Sequence, residues 1–396
     1  VNAIKGSAIG GNLTFVSPGG MTVGSTGVIN AGSFTAVAPD QDTYDKLSKV
    51  SSGGHMLNMT ETAYQNLRQG EVPLNPNAII TVSGSINAGN RVTLAAGKLK
   101  VDKTARIDNT VTDFSNLVNI KKDDVVVTAS GLTGSLSLVP DAGSDEGDIL
   151  LLARADTSAF SVAPNIKAEI TVDGTVKSRG DLTVTAMAGN GTYDVEKTLD
   201  ADKDEGHFTT SGNKNIATVT AEVTVNGKLE AAEDLTVQAL AENRINDSDL
   251  IRLAENVSLE MIGMATPING AVAYGDLTTN AHVTVSNGAE LIAGGNLSTE
   301  ANADTRMTIG TSTSKIQLLD LFNLSGSTSN KIPAAAAVVG LIDSTSTVDI
   351  AGQLSAGKDL TVASRNNIDA ELTAKATTFN SDGIMTALMV GVFEGS

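Results

Sequence analysis

Five stretches of the chain repeat one pattern, in which apolar residues fall on alternate positions. Ala168–Ala188 reads AEITVDGTVKSRGDLTVTAMA, Ala221–Ala241 reads AEVTVNGKLEAAEDLTVQALA and Ser346–Ser364 reads STVDIAGQLSAGKDLTVAS. Looser copies run over Ala78–Ala96 and Ala281–Ala303, the last with one extra residue before Gly288. In the first copy Ala168, Ile170, Val172, Gly174, Val176, Leu182, Val184, Ala186 and Ala188 share one parity, and the positions between are mostly Thr, Asp, Glu, Lys, Arg or Ser. A two-residue period with one dry and one wet face is that of a half-buried strand. Such a unit cannot bury its apolar face alone and must stack on its neighbours, so the expected fold is all-β, a solenoid of β-coils.

Composition agrees with a narrow interior. The chain has 396 residues, 41% of them hydrophobic, yet no Trp and only 3% aromatic side chains against 39 Gly. Stacks of Val, Ile, Leu and Ala fill a β-coil, whereas wide globular cores lean on aromatic rings. The absence of Cys is compatible with an extracellular home, because coil-on-coil hydrogen bonding does not need disulfide staples. A net charge of −18 repels phosphate-rich partners, which sets aside nucleic acid and anionic lipid. The longest apolar runs, around Pro333–Ile342 and Gly383–Phe393, are about half of what spans a bilayer, so no membrane insertion is expected. The opening at Val1 and the stop at Ser396, within what reads as another strand, suggest a fragment with any export signal and downstream region outside it.

Along the chain, residues 1–39 read as strands with Gly-rich turns. The texture changes over Gln41–Gly70. Asn58 with Glu61 is a capping-box signal, Gly70 a helix stop, and Pro73 and Pro76 forbid continuation, so a short helix near Thr60–Gln69 is expected as an excursion on the flank. The repeat glycines Gly84, Gly174, Gly227, Gly288 and Gly352 are unevenly spaced, which implies fixed coils with insertions at one corner. The inserts include Thr110–Asp124, the acidic Pro140–Asp148 and Leu199–Gly206, and two further helix candidates at Leu250–Met264 and Ile316–Leu324.

Phe-Val-Ser-Pro-Gly-Gly-Met from Phe15, followed by Gly24, Gly27 and Val28–Ala36, resembles the amino-terminal secretion domain of filamentous-haemagglutinin-like exoproteins. That family carries Asn-Pro-Asn-Gly-Ile here; Ser17 and Gly19 replace its two asparagines, while Pro18 and Gly20 match. The Leu74–Val82 run and the D-L-T-V-x-A repeats resemble leukotoxin-type large adhesins of the same group. The resemblance implies a right-handed parallel β-helix with short helical and loop excursions. Residues 1–109 would be part of the secretion and haemagglutination-type domain, with the helical excursion near 41–73, and residues 110–396 a repeat shaft with variable inserts. It further implies two-partner secretion through an outer-membrane transporter barrel, a cell-surface location on a Gram-negative-type bacterium, and adhesion of a monomeric rod to a receptor or glycan on host cells or other bacteria.

Within a copy, Val172 and Leu182 are expected on different strands of one coil, joined by the turn Lys177–Asp181. Gly180 would supply positive φ there, and Asp181, Asp234 and Asp359 would cap the turn by bonding an amide two residues on. At roughly 20 residues and about 4.8 Å per coil, the rod would hold on the order of 15 coils over about 70 Å.

Chemistry-bearing sets are sparse. His55, His207 and His282 are scattered, and His282, between inward Ala281 and Val283, should face solvent. Asp200, Asp202 and Asp204 open like a calcium loop, but Glu205 and Ser211 stand where that loop needs Gly and Glu. Neither a cofactor nor a metal is called for. Asp181, Asp234 and Asp359 recur at one turn, as structural caps do, whereas a catalytic cluster would appear once and break the repeat. The expected function is therefore a non-enzymatic adhesin shaft. A β-helical polysaccharide lyase or hydrolase, which needs one unrepeated acid and Arg/Lys set, and the shaft of a contact-dependent toxin are the alternatives.

Overall fold

The computed structural model describes residues 4–5, 8–9, 11–51, 54–57, 60–111, 135–139, 147–157, 164–194, 207–209, 214–245, 269–312, 334–376 and 385–396. A hairpin of β1 (Ile4–Lys5) and β2 (Ala8–Ile9) precedes the first coil, β3 (Asn12–Val16), β4 (Gly20–Val23) and β5 (Val28–Ala31). The second coil opens with β6 (Ser33–Val37) and leaves the rod for α1 (Gln41–Leu47), the hairpin β7 (Ser48–Ser51) and β8 (Gly54–Leu57), and α2 (Glu61–Gln69). It returns through β9 (Ile79–Val82) and β10 (Ser85–Ala88). After β11 (Val92–Ala96), β12 (Lys98–Val101) and β13 (Arg106–Asp108), β14 (Ser135–Val139) pairs antiparallel with β3 at the first edge of the rod. Coil four is β15 (Ile149–Ala155), β16 (Asn165–Val172) and β17 (Thr175–Ser178); coil five is β18 (Leu182–Asn190), β19 (Ile216–Val225) and β20 (Lys228–Ala231). Coil six is β21 (Leu235–Ile245), β22 (Asn269–Val285) and β23 (Glu290–Ala293). Coil seven is β24 (Leu297–Ser312), β25 (Ala334–Ile350) and β26 (Gln353–Ala356), and β27 (Leu360–Lys375) and β28 (Met385–Gly395) form the eighth.

Equivalent strands stack in parallel. Sheet I runs from β3 through β6, β11, β15, β18, β21 and β24 to β27; sheet II from β4 to β28; sheet III from β5 to β26. Register is strict: Ala168 lies beside Ala221, Ala281 and Ser346, and Val172 beside Val225, Val285 and Ile350. The fold is a parallel β-helix. The apolar parity read from the repeats points inward, with Ala168, Ile170, Val172, Val176, Leu182, Val184, Ala186 and Ala188 all fully buried in one core that runs from Leu13 to Ala303. Each fully buried Val, Leu or Ile contributes roughly 1.5–3 kcal/mol of transfer free energy, which is what holds coil to coil.

The coil differs from the expected one. It has three sides, because β17 stands between Val172 and Leu182 and the corner proper is only Arg179–Asp181. Coils also take many more residues than a bare repeat, so sheet II counts eight strands rather than about fifteen, and the stack is roughly 35 Å long. The growth has a place: strands of sheets I and II lengthen from 5 and 4 residues in the first coil to 16 and 17 in the seventh, while those of sheet III stay at three or four. Beyond the three-sided core, sheets I and II therefore face each other as a two-layer flange with its own core of Ala217, Ile245, Ala273, Leu277, Met307, Ile309, Val338 and Ile342. A buried polar seam divides the two cores. Asn190 donates to Asn243 at 3.0 Å, Thr305 Oγ1 lies 2.7 Å from Thr279 Oγ1 and 3.1 Å from Ser344 Oγ, and Ser344 donates to Asn366 at 2.7 Å.

Insertions leave mainly at the corner from sheet I to sheet II, as expected, but the connection 109–148 leaves between sheets III and I. The helical excursion covers the outer face of sheet I with Tyr44, Leu47, Leu67, Val72 and Leu74 against Val16, Val37, Ala95 and Leu152. Thr60, not Asn58, caps α2 by accepting from the Ala63 N–H at 3.2 Å; Asn58 lies outside the described residues. Gly70 ends the helix at φ +72°, and a Cβ there would lie 2.6 Å from Leu152 Cδ2. Helix α1, capped by Asp40 through the Thr43 N–H at 2.7 Å, was not foreseen. The helix candidates at Leu250–Met264 and Ile316–Leu324, the acidic loop Leu199–Gly206 with Asp200, Asp202 and Asp204, and most of Thr110–Asp124 and Pro140–Asp148 lie outside the described residues.

Candidate functional site

Three places hold the residues singled out by sequence, or the ones it missed. The first is the corner between β3 and β4. Ser17, Pro18, Gly19 and Gly20 form a turn closed by the Gly20 N–H on the Ser17 carbonyl at 3.0 Å. Gly20 sits at φ +87°, and a Cβ on it would fall 2.1 Å from the Ile79 carbonyl oxygen, so both its backbone angle and its closeness to β9 demand glycine. Asn75 Nδ2 donates to the Pro18 carbonyl at 2.7 Å. The Ser17–Gly20 corner and the Leu74–Val82 run, far apart in sequence, thus touch. The Ser17 hydroxyl is buried without a hydrogen-bond partner, as are Asn12 Oδ1 and Thr14 Oγ1 on β3.

The second place is the pair of repeat corners. Where sheet II passes to sheet III, Gly84, Gly174, Gly227 and Gly352 sit in two-residue turns, and a Cβ on each would lie between 2.0 and 2.7 Å from a carbonyl oxygen of the neighbouring coil. Close stacking, not positive φ, selects glycine there. Gly288 is different: register places Ala289, not Gly288, beside Gly227 and Gly352, and Gly288 is the extra residue of a wider turn, at φ +87° with nothing within 4 Å of a Cβ. At the corner from sheet III to sheet I, Gly180 has no positive φ either; Asp148 Oδ1 would be 2.3 Å from its Cβ. The aspartates do not bond an amide two residues on. Each accepts from its equivalent one coil later: Asp148 from the Asp181 N–H at 3.0 Å, Asp181 from Asp234 at 2.9 Å, Asp234 from Asn296 at 2.7 Å, and Asn296 from Asp359 at 3.3 Å. Asp359 ends this described ladder. The Asn296 backbone N–H, with its side-chain amide, holds the Asp234 carboxyl below its usual range.

The third place was missed by sequence: an unrepeated set of charges on the outer face of sheet I. Carrying the parity of β21 and β24 past Ala241 and Ala303 puts Glu242 and Arg244 outward beside Asp304 and Arg306. Arg244 Nη2 pairs with Asp304 Oδ2 and lies 3.8 Å from Glu242 Oε2, while Arg306 Nε and Asn367 Nδ2 reach Asp304 Oδ1 at 3.3 and 2.9 Å. His207 lays Nδ1 2.5 Å from Glu242 Oε1 and donates its backbone N–H to both carboxylate oxygens at 3.0 Å. Nearer the helices, Arg154 is wholly buried, bonds the Val72 carbonyl and places its guanidinium 3.5 Å from the Tyr193 ring centroid. Tyr193 in turn donates its hydroxyl to Glu71 at 3.1 Å and its N–H to Asp156 at 3.3 Å. Burial pulls the Arg154 pKa below its usual value, and Tyr193, Glu71 and Asp156 act in the opposite sense.

These groups pin a hairpin stem to the rod. Asp194 N–H donates to the His207 carbonyl at 3.0 Å and Thr209 N–H to Thr192 at 2.9 Å, and Phe208 lies over Gly189, where a Cβ would fall 2.1 Å from its ring. Glu242 and Asp304 are engaged by cations, Asp156 by a backbone amide and Glu71 by the Tyr193 hydroxyl, so the set anchors the stem. Among the described residues no group of three or more His, Cys, Asp or Glu side chains could hold a metal ion. His282 is outward, as expected, 2.8 Å from Thr284 Oγ1 and 3.6 Å from Asp349. Among the described residues no helix is long and apolar enough to cross a membrane. Comparison with family models, curated proteins and solved structures found no match.

Proposed function

We propose that this chain is part of a secreted, cell-surface filamentous adhesin exported by two-partner secretion, in which the β-helix gives reach and the inserts at its flange carry recognition. The observation that carries the reading is the contact between Asn75 and the Ser17–Gly20 corner, which joins, in the first two coils, the segment resembling a secretion domain and the run resembling leukotoxin-type large adhesins of the same group. The lack of Cys supports passage of an unfolded chain through a barrel, and the charge of −18 keeps rods apart. Partners on this reading are an outer-membrane transporter during export and a receptor or glycan on a host or bacterial surface. Neither a cofactor nor a catalytic role is assigned. The engaged state of Glu242 and Asp304 favours adhesion over the lyase or hydrolase alternative.

Two assays test it. Purified chain should bind saturably to epithelial or bacterial cell surfaces without releasing reducing ends or unsaturated uronates from polysaccharides. Absence of any surface binding together with turnover of a polysaccharide would replace the proposal with the enzyme reading.

A further inference from the structure

An asparagine followed by glycine carries the parts of a reaction within itself. The glycine nitrogen, unshielded by a Cβ, can attack the side-chain carbonyl carbon of the asparagine. The bond from that nitrogen to Cγ forms, the bond from Cγ to Nδ2 breaks, and the side-chain nitrogen departs as ammonia, taking up the proton lost from the backbone amide. Water then opens the five-membered imide at either carbonyl, leaving aspartate or an isoaspartyl link in which the chain runs through Cβ. Asn-Gly occurs four times in this chain, at Asn190, Asn226, Asn269 and Asn287. What separates the four is how firmly the fold holds the reacting groups.

Three of them are held. Asn190 is 1% exposed; its side chain donates to the Lys214 carbonyl and to Asn243, and accepts from the Lys214 N–H at 3.0 Å. Asn226 is exposed, yet its Nδ2 donates to Asp173 at 2.6 Å and its Oδ1 accepts from Ser286 at 2.5 Å. The Gly227 N–H is tied to the Val172 carbonyl at 3.0 Å. Asn269 and Gly270 lie within β22, paired in register with Ala334 and Ala335 of β25.

Asn287 and Gly288 are placed differently. Both are exposed, in the wider turn between Val285 and Glu290. Among the described residues no hydrogen bond holds the Asn287 side chain or the Gly288 N–H. Gly288, at φ +87° with nothing within 4 Å of a Cβ, leaves open space around the attacking nitrogen. We propose that Asn287 is a modification site, converted to aspartate or isoaspartate by its own neighbour without an enzyme, while the fold protects Asn190, Asn226 and Asn269. Closing the imide at Asn226 would break three hydrogen bonds, and each ordinary one slows the step about fivefold. Each event at Asn287 adds a negative charge to the corner from sheet II to sheet III. The isoaspartyl product also lengthens the backbone by one atom, which a turn with open space around Gly288 can take up. The inference is independent of the adhesin reading.

Full-length protein is aged in mildly alkaline buffer, folded or in concentrated urea, and digested. The gain of about 1 Da at each asparagine is then followed by fragmentation mass spectrometry. In the folded protein Asn287 should convert at least about tenfold faster than the other three, and in urea, where only the shared Asn-Gly chemistry remains, all four should fall within about threefold of one another. Asn287→Gln should remove the fast event and leave the rates at Asn190, Asn226 and Asn269 unchanged. Equal rates at the four sites in the folded protein, faster conversion at any of the other three, or the same tenfold lead of Asn287 kept in urea would overturn the assignment.

Discussion

The carboxylate of Asp181 accepts the backbone N–H of Asp234, one full coil further along the rod, at 2.9 Å. Asp234 repeats the act on Asn296, and Asn296 on Asp359, so a rung that began as aspartate is carried equally by an amide. The ladder adds a side-chain rung to a corner where backbone bonds also run from coil to coil, as from the Glu233 N–H to the Gly180 carbonyl at 3.3 Å and from the Gly295 N–H to the Glu233 carbonyl at 2.8 Å. Because Asp234 has its folded pKa lowered by the Asn296 N–H, its stabilising contribution is complete above the unfolded pKa and disappears as pH falls through the folded one. Asp234→Asn should therefore keep the rung and flatten the acid limb of the stability curve, and Asp234→Ala should lose the rung at every pH. Urea midpoints measured from neutral to acid pH check both; an unchanged acid limb in Asp234→Asn would refute the assignment.

Glycines of the same repeat should respond oppositely to substitution. A Cβ on Gly227 would lie 2.0 Å from the Gly174 carbonyl oxygen, and backbone on backbone cannot yield as a side chain does. Gly227→Ala should cost about 1–3 kcal/mol through overpacking. Gly24 has nothing within 4 Å and no positive φ, so Gly24→Ala should be neutral or slightly stabilising. Gly288→Ala meets no atom but keeps φ +87°, at about 1–2 kcal/mol. Denaturant unfolding of the three variants gives the order directly.

The inward face was legible in the sequence because Val172 and Val184 sit two residues from apolar neighbours, and strand parity survives any change of loop length. The third side was not, since β17 is four residues between two turns and reads as part of one. Ladder bonds are invisible to local rules: the amide that Asp181 engages lies 53 residues away, while an Asx turn would have been two residues away. Glu242, Arg244, Asp304 and Arg306 were within reach of the same parity rule, which needed only to be extended past the last repeat alanine. Asp40 with the Thr43 N–H is an ordinary helix cap, overlooked because α1 is seven residues long.

The buried cation under the hairpin stem makes a sharper test of anchoring. Arg154 is wholly buried, stacks on Tyr193 and faces half-buried Glu71 and buried Asp156, so its removal leaves these acids without their cation. Arg154→Met should cost about 3–5 kcal/mol. If the cost is instead near zero, the stem does not depend on this contact. Limited proteolysis, read by cleavage between Tyr193 and His207, should accelerate alongside the loss of stability.

The seam between the two cores depends on Asn243, which is fully buried, accepts from Asn190 Nδ2 and donates to the carbonyls of Ala217 and Thr278 at 3.1 and 3.0 Å. Replacing it by Leu would join two apolar regions by side-chain volume alone, yet it would strip a donor from two carbonyls and leave Asn190 bonded only to the Lys214 carbonyl through that amide. Each orphaned buried group costs about 1–3 kcal/mol, more than the gain of roughly 1.5–3 kcal/mol from burying the new side chain. Asn243→Leu should thus destabilise despite its added hydrophobicity, and hydrogen exchange should quicken first in β19 and β22, where the freed carbonyls lie. A more stable variant would mean that the flange and the three-sided core are held together by apolar packing rather than by the polar line between them.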